Sequence, residues 1–342
     1  MSGATSILHN PPQPSIHVLR AGHVEFLVTD LARARHFYVT LLGFVETEAT
    51  EEALYLRCLE ERSHHSLVLR LAREPGAGHI AFRVASPEDL PRVAALAEPQ
   101  ALPYRWVDGE ERGQGTAIRL QDPSGLPLEF YHQMDPAPRL LQRYDLHGPV
   151  QIMRLDHYNC QVRDVAAAVA WYQRHLGFRV SEYTVTEESG GEERLWGAWL
   201  HRKQTVHDLA LMSGIGPRLH HAGFWLPDPM AVLRACDVLA AAGYHRAIER
   251  GPGRHGLSNA LFLYLRDPDG NRIELYANDY LTADPDAEPI RWTLDDPRRA
   301  TFWGHAAPAC WFEEAMAVQS ISGEGFMAQG EPPMRDRPDH VT

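Results

Sequence analysis

An internal repeat restricts the fold of this chain more than any other feature of its sequence. Residues 22–44 match residues 156–178 without a gap, so that His23 aligns with His157 and Phe44 aligns with Phe178. In both copies a short strand is followed by an aspartate suited to capping a helix, then by apolar residues at helical spacing and a closing glycine. The chain is therefore predicted to contain two related halves.

A second repeat divides each half again. Residues 78–90 resemble residues 220–232, and each copy is a strand leading into a helix with proline at its first position, after Ser86 or Asp228. Residues 122–125 and 267–270 form matching Asp-Pro-x-Gly turns between strands. We predict an α+β fold of four βαβββ modules paired into two domains. The predicted segments are a disordered leader (1–15), an N-terminal domain (16–134), a linker (135–150), a C-terminal domain with the functional site (151–284), and a covering segment with a frayed tail (285–342).

Composition is typical of a soluble globular protein. The chain has 342 residues, 44% of them hydrophobic and 23% charged, which is enough for two domains with apolar cores. A formal net charge of -12 argues against partners such as nucleic acid or an anionic membrane. The four cysteines form no CxxC pair, and neither a signal peptide nor a membrane-spanning run is recognisable, so we expect a reducing, cytoplasmic location.

Three residues on separate strands predict a metal site. Glu274 lies between Ile273 and Leu275, and a carboxylate within an apolar strand is unfavourable unless a positive charge meets it. His157 and His221 lie on the first strands of the third and fourth modules. A single strand histidine is more often structural, but equivalent strands of a repeat face a common cavity, where all three residues can meet. Two imidazoles and one carboxylate suit Fe(II) or Mn(II), and the donor set also allows Zn(II) and Ni(II).

The N-terminal half carries the same three residue types, as His23, His79 and Glu129. Spacing alone does not decide which half binds the metal. The surroundings favour the C-terminal half, where Tyr264 stands at the position that Arg119 occupies in the N-terminal half, and where a glycine-rich loop carries two arginines and a histidine. We therefore expect the C-terminal set to bind the metal and the N-terminal set to be a relic or a packing feature.

Six stretches of the sequence resemble the extradiol ring-cleavage dioxygenases of the vicinal oxygen chelate superfamily. They are residues 154–159, 201–208, 216–221, 248–256, 267–276 and 278–286. The similarity covers about residues 18–312 and is denser in the C-terminal half. It implies a fold of two such domains and an oxidoreductase that opens a catechol ring with O2 to give a 2-hydroxymuconic semialdehyde. The substrate it implies is 3,4-dihydroxyphenylacetate, cleaved at its 2,3 bond, and the assembly it implies is a homotetramer.

The resemblance also implies a role for each residue of the site. His157, His221 and Glu274 would bind Fe(II), or alternatively Mn(II). His207 would be the acid/base residue beside the oxygen site, although His65 occupies the matching place in the N-terminal half.

The remaining expected residues contact the substrate. Tyr264 would donate a hydrogen bond to a substrate oxygen, and Asn159, Trp199 and His255 would line the pocket. Two arginines would bind the substrate carboxylate, and these are Arg250 and Arg299.

Three alternatives to this function remain open. One is extradiol cleavage of a different catechol, for which a hydrocarbon substituent would require an apolar pocket. Another is a non-oxidative lyase or isomerase related to glyoxalase, although such enzymes usually place two acidic ligands around the metal. The third is a metal-free binding protein, which would have no need for two histidines and a glutamate together.

Overall fold

The computed structural model describes residues 14–187 and 193–333. Residues 1–13 of the predicted leader and residues 334–342 of the predicted frayed tail lie outside the described residues.

The N-terminal half forms one sheet of eight strands, in the order β2-β3-β4-β1-β5-β8-β7-β6. The strands are β1 (Val18–Val28), β2 (Val45–Ala49), β3 (Ala53–Arg57), β4 (Leu67–Leu71), β5 (Gly76–Val84), β6 (Tyr104–Val107), β7 (Ala117–Gln121) and β8 (Pro127–Tyr131). The helices are α1 (Leu31–Arg35), which continues as a π-helical segment (His36–Leu41), and α2 (Asp89–Ala97), which continues as a 3₁₀ turn (Glu98–Gln100).

The C-terminal half repeats this plan in a larger sheet, in the order β14-β15-β16-β13-β9-β12-β11-β10-β17. Its module strands are β9 (Arg154–Val162), β10 (Arg179–Glu187), β11 (Glu193–His201), β12 (Leu209–Ser213), β13 (Arg218–Trp225), β14 (Ile248–Arg254), β15 (Leu261–Arg266) and β16 (Arg272–Ala277). Its helices are α3 (Val165–Leu176) and α4 (Pro229–Ala241), and its 3₁₀ turns are His245–Ala247 and Leu257–Asn259; another 3₁₀ turn, Tyr144–Leu146, lies between the halves.

Each half therefore consists of two βαβββ modules, which confirms the predicted fold class. In each half the first strands of the two modules pair antiparallel, with His23 opposite Ala81 and His157 opposite Gly223. Because these pairings are equivalent, residues of these strands in one half have definite structural counterparts in the other half.

Helix starts follow the predicted aspartate caps. The Asp30, Asp164 and Asp228 carboxylates accept hydrogen bonds from backbone N–H groups three residues further on. Two details differ from prediction. The first helix changes to π geometry from His36, and α2 begins at Asp89 rather than at the proline after Ser86, because the Asp89 carboxylate accepts the Ser86 N–H and shapes the preceding turn.

The two halves share one continuous hydrophobic core. Phe44 of the first half meets Phe224 of the second with ring centroids 4.9 Å apart, and Phe82 meets Phe178 at 5.5 Å. The halves are thus packed as a single body around these aromatic contacts.

Two equivalent hydrogen bonds cross between the halves. The Tyr38 hydroxyl donates to the Asp267 carboxylate at 3.0 Å, and the Tyr172 hydroxyl donates to Asp122 at 2.8 Å. Each aspartate belongs to a repeated turn and also accepts backbone N–H groups of that turn, such as Asp269 N at 2.9 Å. We call these the two tyrosine–aspartate links.

The C-terminal segment crosses both halves. It adds β17 (Ile290–Thr293) beside β10 and contains α5 (Pro297–Ala300) and α6 (Ala309–Glu313). The strand β18 (Met316–Ala317) pairs with β13, and beyond it the Ile321 carbonyl accepts a hydrogen bond from Arg105 Nε of the N-terminal half at 2.7 Å. No helix within residues 14–187 and 193–333 has the length and apolarity required to cross a membrane.

Candidate metal centre

Three side chains from three neighbouring strands meet in the C-terminal half. His157 (β9), His221 (β13) and Glu274 (β16) are almost fully buried. The Nε2 atoms of the two histidines are 3.4 Å apart, and the Glu274 Oε2 atom lies 3.0 Å from His157 Nε2 and 3.2 Å from His221 Nε2. Donor atoms this close together can share one metal ion, as the sequence predicted.

Hydrogen bonds on the far side of each imidazole leave the Nε2 atoms free to be ligands. The Asp156 carboxylate accepts from His157 Nδ1 at 3.3 Å. His220 donates from Nε2 to the Trp311 carbonyl oxygen at 2.6 Å, so its Nδ1 must accept from His221 Nδ1, at 2.7 Å. Both ligand histidines are therefore oriented with Nδ1 turned away and Nε2 turned towards Glu274, which is the orientation that metal binding requires.

The electrostatics of the three residues also suit a cation. Burial alone would lower the pKa of His157, but hydrogen bonds with Asp156 and Glu274 outweigh it and raise the pKa to about 9. Burial lowers the pKa of His221 to about 4, and the neighbouring histidines hold the pKa of Glu274 well below its usual range against the effect of burial. The proton that His157 holds beside Glu274 is a positive charge that a bound metal would replace.

The predicted acid/base histidine lies against the first ligand. The ring centroid of His207 is 3.9 Å from that of His157. Burial, together with the charge of His157, lowers the pKa of His207 well below its usual value. The His207 Nδ1 atom is buried and has no hydrogen-bond partner among the described residues. His207 is therefore a neutral imidazole at the edge of the site.

Tyr264 lies opposite Glu274 on the neighbouring strand. His255 donates from Nδ1 to the Ala300 carbonyl oxygen, so its Nε2 accepts the Tyr264 hydroxyl proton, with 3.0 Å between the two atoms. Burial, and next the charge of Glu274, raise the pKa of Tyr264 well above its usual value. Tyr264 is therefore a neutral hydroxyl whose orientation is set by His255.

A cavity opens beside these residues. It is lined by nine of the ten predicted site residues, which are His157, Asn159, Trp199, His207, His221, His255, Tyr264, Glu274 and Arg299. The tenth, Arg250, does not line this cavity. Its guanidinium lies behind the wall, 4.5 Å from the Trp311 ring centroid and 5.7 Å from that of Tyr264.

Two buried arginines beside the cavity have unused donors. Arg250 is 3% exposed and Arg299 is 2% exposed. Arg250 donates from Nη2 to the Ala300 carbonyl oxygen and to Thr301 Oγ1, but its Nε and Nη1 atoms have no partner among the described residues, and neither do Nε and Nη2 of Arg299. Burial, and next the charge of Arg250, lower the pKa of Arg299 to about 10. Two adjacent buried cations without an anion are costly, which suggests that the site takes an anionic group.

Comparison with known proteins agrees with this geometry. The Glyoxalase/Bleomycin resistance protein/Dioxygenase superfamily matches residues 20–130 and 154–275. A manganese-dependent 2,3-dihydroxybiphenyl 1,2-dioxygenase from Geobacillus genomosp. 3 is 31% identical over 84% of this chain and 93% of its own length. The crystal structure of homoprotocatechuate 2,3-dioxygenase from Arthrobacter globiformis is 40% identical, covers 94% of this chain and 98% of that chain, and gives a TM-score of 0.88. The chain belongs to the extradiol dioxygenase family. It is an oxidoreductase of this superfamily.

A further structure of the extradiol dioxygenase family shows a substrate complex. The homoprotocatechuate 2,3-dioxygenase from Brevibacterium fuscum, in complex with 3,4-dihydroxyphenylacetate, is 39% identical to this chain. It covers 94% of this chain and 100% of its own, with a TM-score of 0.88.

The N-terminal half of this extradiol dioxygenase lacks the residues that orient the ligand histidines. The register of β1 and β5 places Gly22 at the position equivalent to Asp156, and Gly78 at the position equivalent to His220. The counterpart of Tyr264 is Arg119, which donates from Nε to Glu129 at 2.7 Å. The prediction that catalysis belongs to the C-terminal half therefore has a structural reason beyond the ligands themselves.

The sequence prediction missed several residues of the cavity wall. Met212 accepts a weak hydrogen bond from Asn159 Nδ2 at 3.6 Å, and the alternation of β12 beside Asn159 could have indicated it. Tyr276 could also have been found, since it shares a strand face with Glu274. Trp311 had no local signal, because it reaches the cavity only through the path of the C-terminal segment. The other unpredicted wall residues are Trp196, Leu257, Ser258, Ala260, Asp279, Ala300 and Phe312.

Proposed function

We propose that this extradiol dioxygenase opens the ring of 3,4-dihydroxyphenylacetate at its 2,3 bond with O2, giving a 2-hydroxymuconic semialdehyde. The observation that carries the choice of substrate is the pair of buried arginines, Arg250 and Arg299, whose guanidinium groups keep unused donors beside the metal-binding residues. A carboxylate on the ring substituent would supply the missing anion. The two homoprotocatechuate dioxygenases at 39% and 40% identity support the same substrate.

The residues present fit the metal that this chemistry needs. His157, His221 and Glu274 would hold Fe(II) or Mn(II), with the Nε2 atoms already freed by Asp156 and His220. The metal would lower the pKa of a catechol hydroxyl and bring the catechol together with O2, the co-substrate. Because all three protein donors come from one side, the cavity side is left for these two molecules.

His207 is proposed to move a proton at the oxygen side of the site. Its neutral imidazole lies against His157, and its Nδ1 atom is free of any partner among the described residues. A neutral histidine with a free nitrogen can accept a proton from the incoming catechol and return it to the product.

Tyr264 and His255 are proposed to orient the ring. The Tyr264 hydroxyl is held by His255 Nε2 at 3.0 Å, and His255 in turn is fixed by the Ala300 carbonyl oxygen. Tyr264 stays protonated because its pKa is raised far above neutrality. When a catechol binds, this one proton can turn from His255 to a catechol oxygen, and His255 keeps the hydroxyl in place for that exchange. Asn159 and Trp199 would complete the walls.

Arg299 is proposed to meet the substrate carboxylate first, because it lines the cavity, whereas Arg250 lies behind the wall. A guanidinium offers two parallel N–H groups to a carboxylate, and such a charge-assisted pair is stronger than a neutral hydrogen bond. The cavity is closed on this side by α5, which carries Arg299 itself. The C-terminal segment would thus contribute to substrate selection.

A second candidate substrate is a catechol with an aromatic substituent. The cavity wall includes Trp196, Trp199, Trp311 and Phe312, which could pack against a second ring. The manganese-dependent relative at 31% identity is named for 2,3-dihydroxybiphenyl. This substrate would leave the two buried arginines unpaired, so we place it second. A non-oxidative lyase or isomerase is disfavoured because the C-terminal set of donors found among the described residues contains a single carboxylate.

The substrate is tested by comparing kcat/KM for 3,4-dihydroxyphenylacetate, 4-ethylcatechol and 2,3-dihydroxybiphenyl. The first two differ mainly in the carboxylate, so their ratio isolates the arginines. We expect the acid to be preferred over 4-ethylcatechol by at least about 10-fold, because a charge-assisted hydrogen bond contributes about 1.5–3 kcal/mol. Equal values, or a preference for 2,3-dihydroxybiphenyl, would contradict the proposed substrate while leaving ring cleavage intact.

A further inference from the structure

The N-terminal half contains a second, fully buried set of metal-binding donors. The Nε2 atoms of His23 and His79 are 3.0 Å apart. The Glu129 Oε1 atom lies 3.4 Å from His23 Nε2, and Oε2 lies 3.6 Å from His79 Nε2. The side chains are 0 to 2% exposed. These separations are close to those of the C-terminal triad, so the same kind of ion can fit between the donors.

The two triads stand at equivalent positions in the sheets. His23 is opposite Ala81, and Ala81 is opposite Glu129. In the other half His157 is opposite Gly223, and Gly223 is opposite Glu274. The N-terminal donors therefore converge for the same geometric reason as the C-terminal ones.

Glu25 supplies an orienting group that Gly78 lacks. The Glu25 Oε1 atom lies 3.6 Å from His79 Nδ1. Its carboxylate fills the space beside Gly78, where a Cβ atom would be only 2.0 Å away from Oε1. An acidic group on the Nδ1 side favours a proton there, which leaves the Nε2 atom of His79 as a donor to a metal.

A chain of buried charged groups begins at this triad. Ion pairs link Glu129 to Arg119, Arg119 to Glu111, Glu111 to Arg70, and Arg70 to Glu25. It contains three carboxylates and two guanidinium groups, and burial raises the pKa of one of these carboxylates, Glu111, to about 7. Buried charges are normally paired or bound to metals.

A buried imidazole beside the triad has an unused nitrogen. His65 is 0% exposed, and its ring centroid is 4.8 Å from that of His23. Its Nε2 atom has no hydrogen-bond partner among the described residues, and the same holds for the Nδ1 atom of His23. Unpaired polar atoms at this depth are unfavourable, so the surroundings of the triad offer more nitrogen donors than its hydrogen bonds use.

We propose that His23, His79 and Glu129 form a second divalent metal site that is structural rather than catalytic. Arg119 occupies the place of Tyr264 and Gln114 donates to Glu129 Oε1 at 2.7 Å, so the side that receives substrate in the C-terminal half is filled here. Histidine nitrogens and a carboxylate oxygen are ligands that Zn(II) accepts, and the filled substrate side is the observation that points to a structural role. The proposal does not depend on which catechol the enzyme cleaves.

The experiment counts metal ions per chain. The full-length protein is stripped with a chelator, dialysed against Zn(II) alone or Mn(II) alone, and analysed by mass spectrometry of the elements. We expect two equivalents in the unmodified chain and one each in Glu274→Ala and His79→Gln, while the control His64→Gln, an adjacent buried histidine outside the triad, keeps two. His79→Gln should retain ring-cleavage activity within about 2-fold, since the error of such a comparison is of the order of RT.

Two results would overturn the proposal. One is a single equivalent in the unmodified chain with none in Glu274→Ala, and this pair of counts decides the matter even if His79→Gln does not fold. The other is two equivalents in both the unmodified chain and a folded His79→Gln, which would place the second ion elsewhere. Inactivity of the unmodified chain with two bound Mn(II) ions would instead contradict only the proposed function.

Discussion

At the scale of single residues, the site combines neutral hydrogen-bonding groups with two buried cations. His207 and Tyr264 are both held uncharged by burial, whereas Arg250 and Arg299 each keep two guanidinium nitrogens without a hydrogen-bond partner in the described part of the chain. Proton transfer and substrate selection are therefore assigned to different residues, which single substitutions can separate.

Removal of Arg299 should reduce the preference for an acidic substrate. For Arg299→Met we expect kcat/KM with 3,4-dihydroxyphenylacetate to fall ~10- to 150-fold, the equivalent of about 1.5–3 kcal/mol for one charge-assisted bond. The value for 4-ethylcatechol should change little. Arg298→Met is the matched control, because Arg298 is the next residue but is exposed and paired with Asp296. A loss shared equally by both substrates would show that Arg299 acts on the fold.

Removal of the His207 imidazole should slow turnover without releasing the metal. For His207→Asn we expect kcat to fall by about 10²- to 10⁴-fold, the usual contribution of a general acid or base. Metal content should match the unmodified enzyme, because His207 is not among the three donors. Turnover and metal analysis on the same preparation check this, and unchanged turnover would remove His207 from the mechanism.

The site residues were readable from the sequence to different extents. His157, His221 and Glu274 were predicted because their strands belong to a repeat and their side chains face one way. The position of Arg250 behind the wall was not, because it depends on how Trp311 folds back from the C-terminal segment. Local sequence patterns do not predict which residues of a distant segment will contact the site.

At the scale of elements, the repeated turns do more than connect strands. Each tyrosine–aspartate link joins the first helix region of one half to the last turn of the other half, and in the Tyr38–Asp267 link the partners are 229 residues apart. The sequence repeat showed that the tyrosines and the aspartates match, but not that they bond across the halves. Such a pairing depends on how the two domains pack.

Loss of either tyrosine–aspartate link should destabilise the fold by a similar amount. For Tyr38→Phe and for Tyr172→Phe we expect the free energy of unfolding to fall by about 1–3 kcal/mol, because a buried carboxylate loses its donor. Tyr104→Phe is the control, since its hydroxyl donates to Glu98 at the surface, and it should change stability by less than about 0.5 kcal/mol. Urea unfolding gives the free energy of unfolding of all three variants. An equal loss in the control and in the two link variants would contradict a special role for the links.

The aspartates of these links should make stability depend on pH. Burial raises the pKa of Asp267 to about 6 despite hydrogen bonds from Asn271 and Tyr38, whereas an unfolded aspartate has a pKa of about 3.9. Between these pH values the native state holds a proton on Asp267 that the unfolded chain has released. The contribution of Asp267 to the free energy of unfolding therefore falls as pH rises from about 4 to about 6. The difference in unfolding free energy between the unmodified chain and Asp267→Asn should shift by up to ~3 kcal/mol over that range. A difference independent of pH would contradict the raised pKa.

The elements themselves were predicted in type but not in every detail. Alternation and the Asp-Pro-x-Gly turn predict strands over residues 260–266 and 271–276, and β15 and β16 begin and end within one residue of these bounds. The change from α1 to π geometry was not visible, since Phe37, Tyr38 and Leu41 are buried in either kind of helix. An apolar pattern specifies which side of a helix is buried. It does not distinguish an α-helical turn from a π-helical turn, which contains about one residue more.

At the scale of the whole molecule, a shared hydrophobic core and the C-terminal segment hold together two halves that differ in their sites. The C-terminal half carries the cavity, while the N-terminal half keeps a closed copy of the donor set. Tyr158 joins the two directly, because its hydroxyl lies 2.8 Å from the carbonyl oxygens of both His23 and Ala81. The predicted domain boundaries, cytoplasmic location and homotetramer remain predictions.

The most direct test is oxygen uptake by the chain reconstituted with Fe(II) or with Mn(II), in the presence of 3,4-dihydroxyphenylacetate, with the ring-opened product followed by its yellow colour. We predict one O2 consumed for each substrate opened, and loss of both signals in Glu274→Ala. Absence of oxygen uptake by a chain that demonstrably carries metal at this site would contradict ring cleavage, and would indicate a non-oxidative reaction on the same fold.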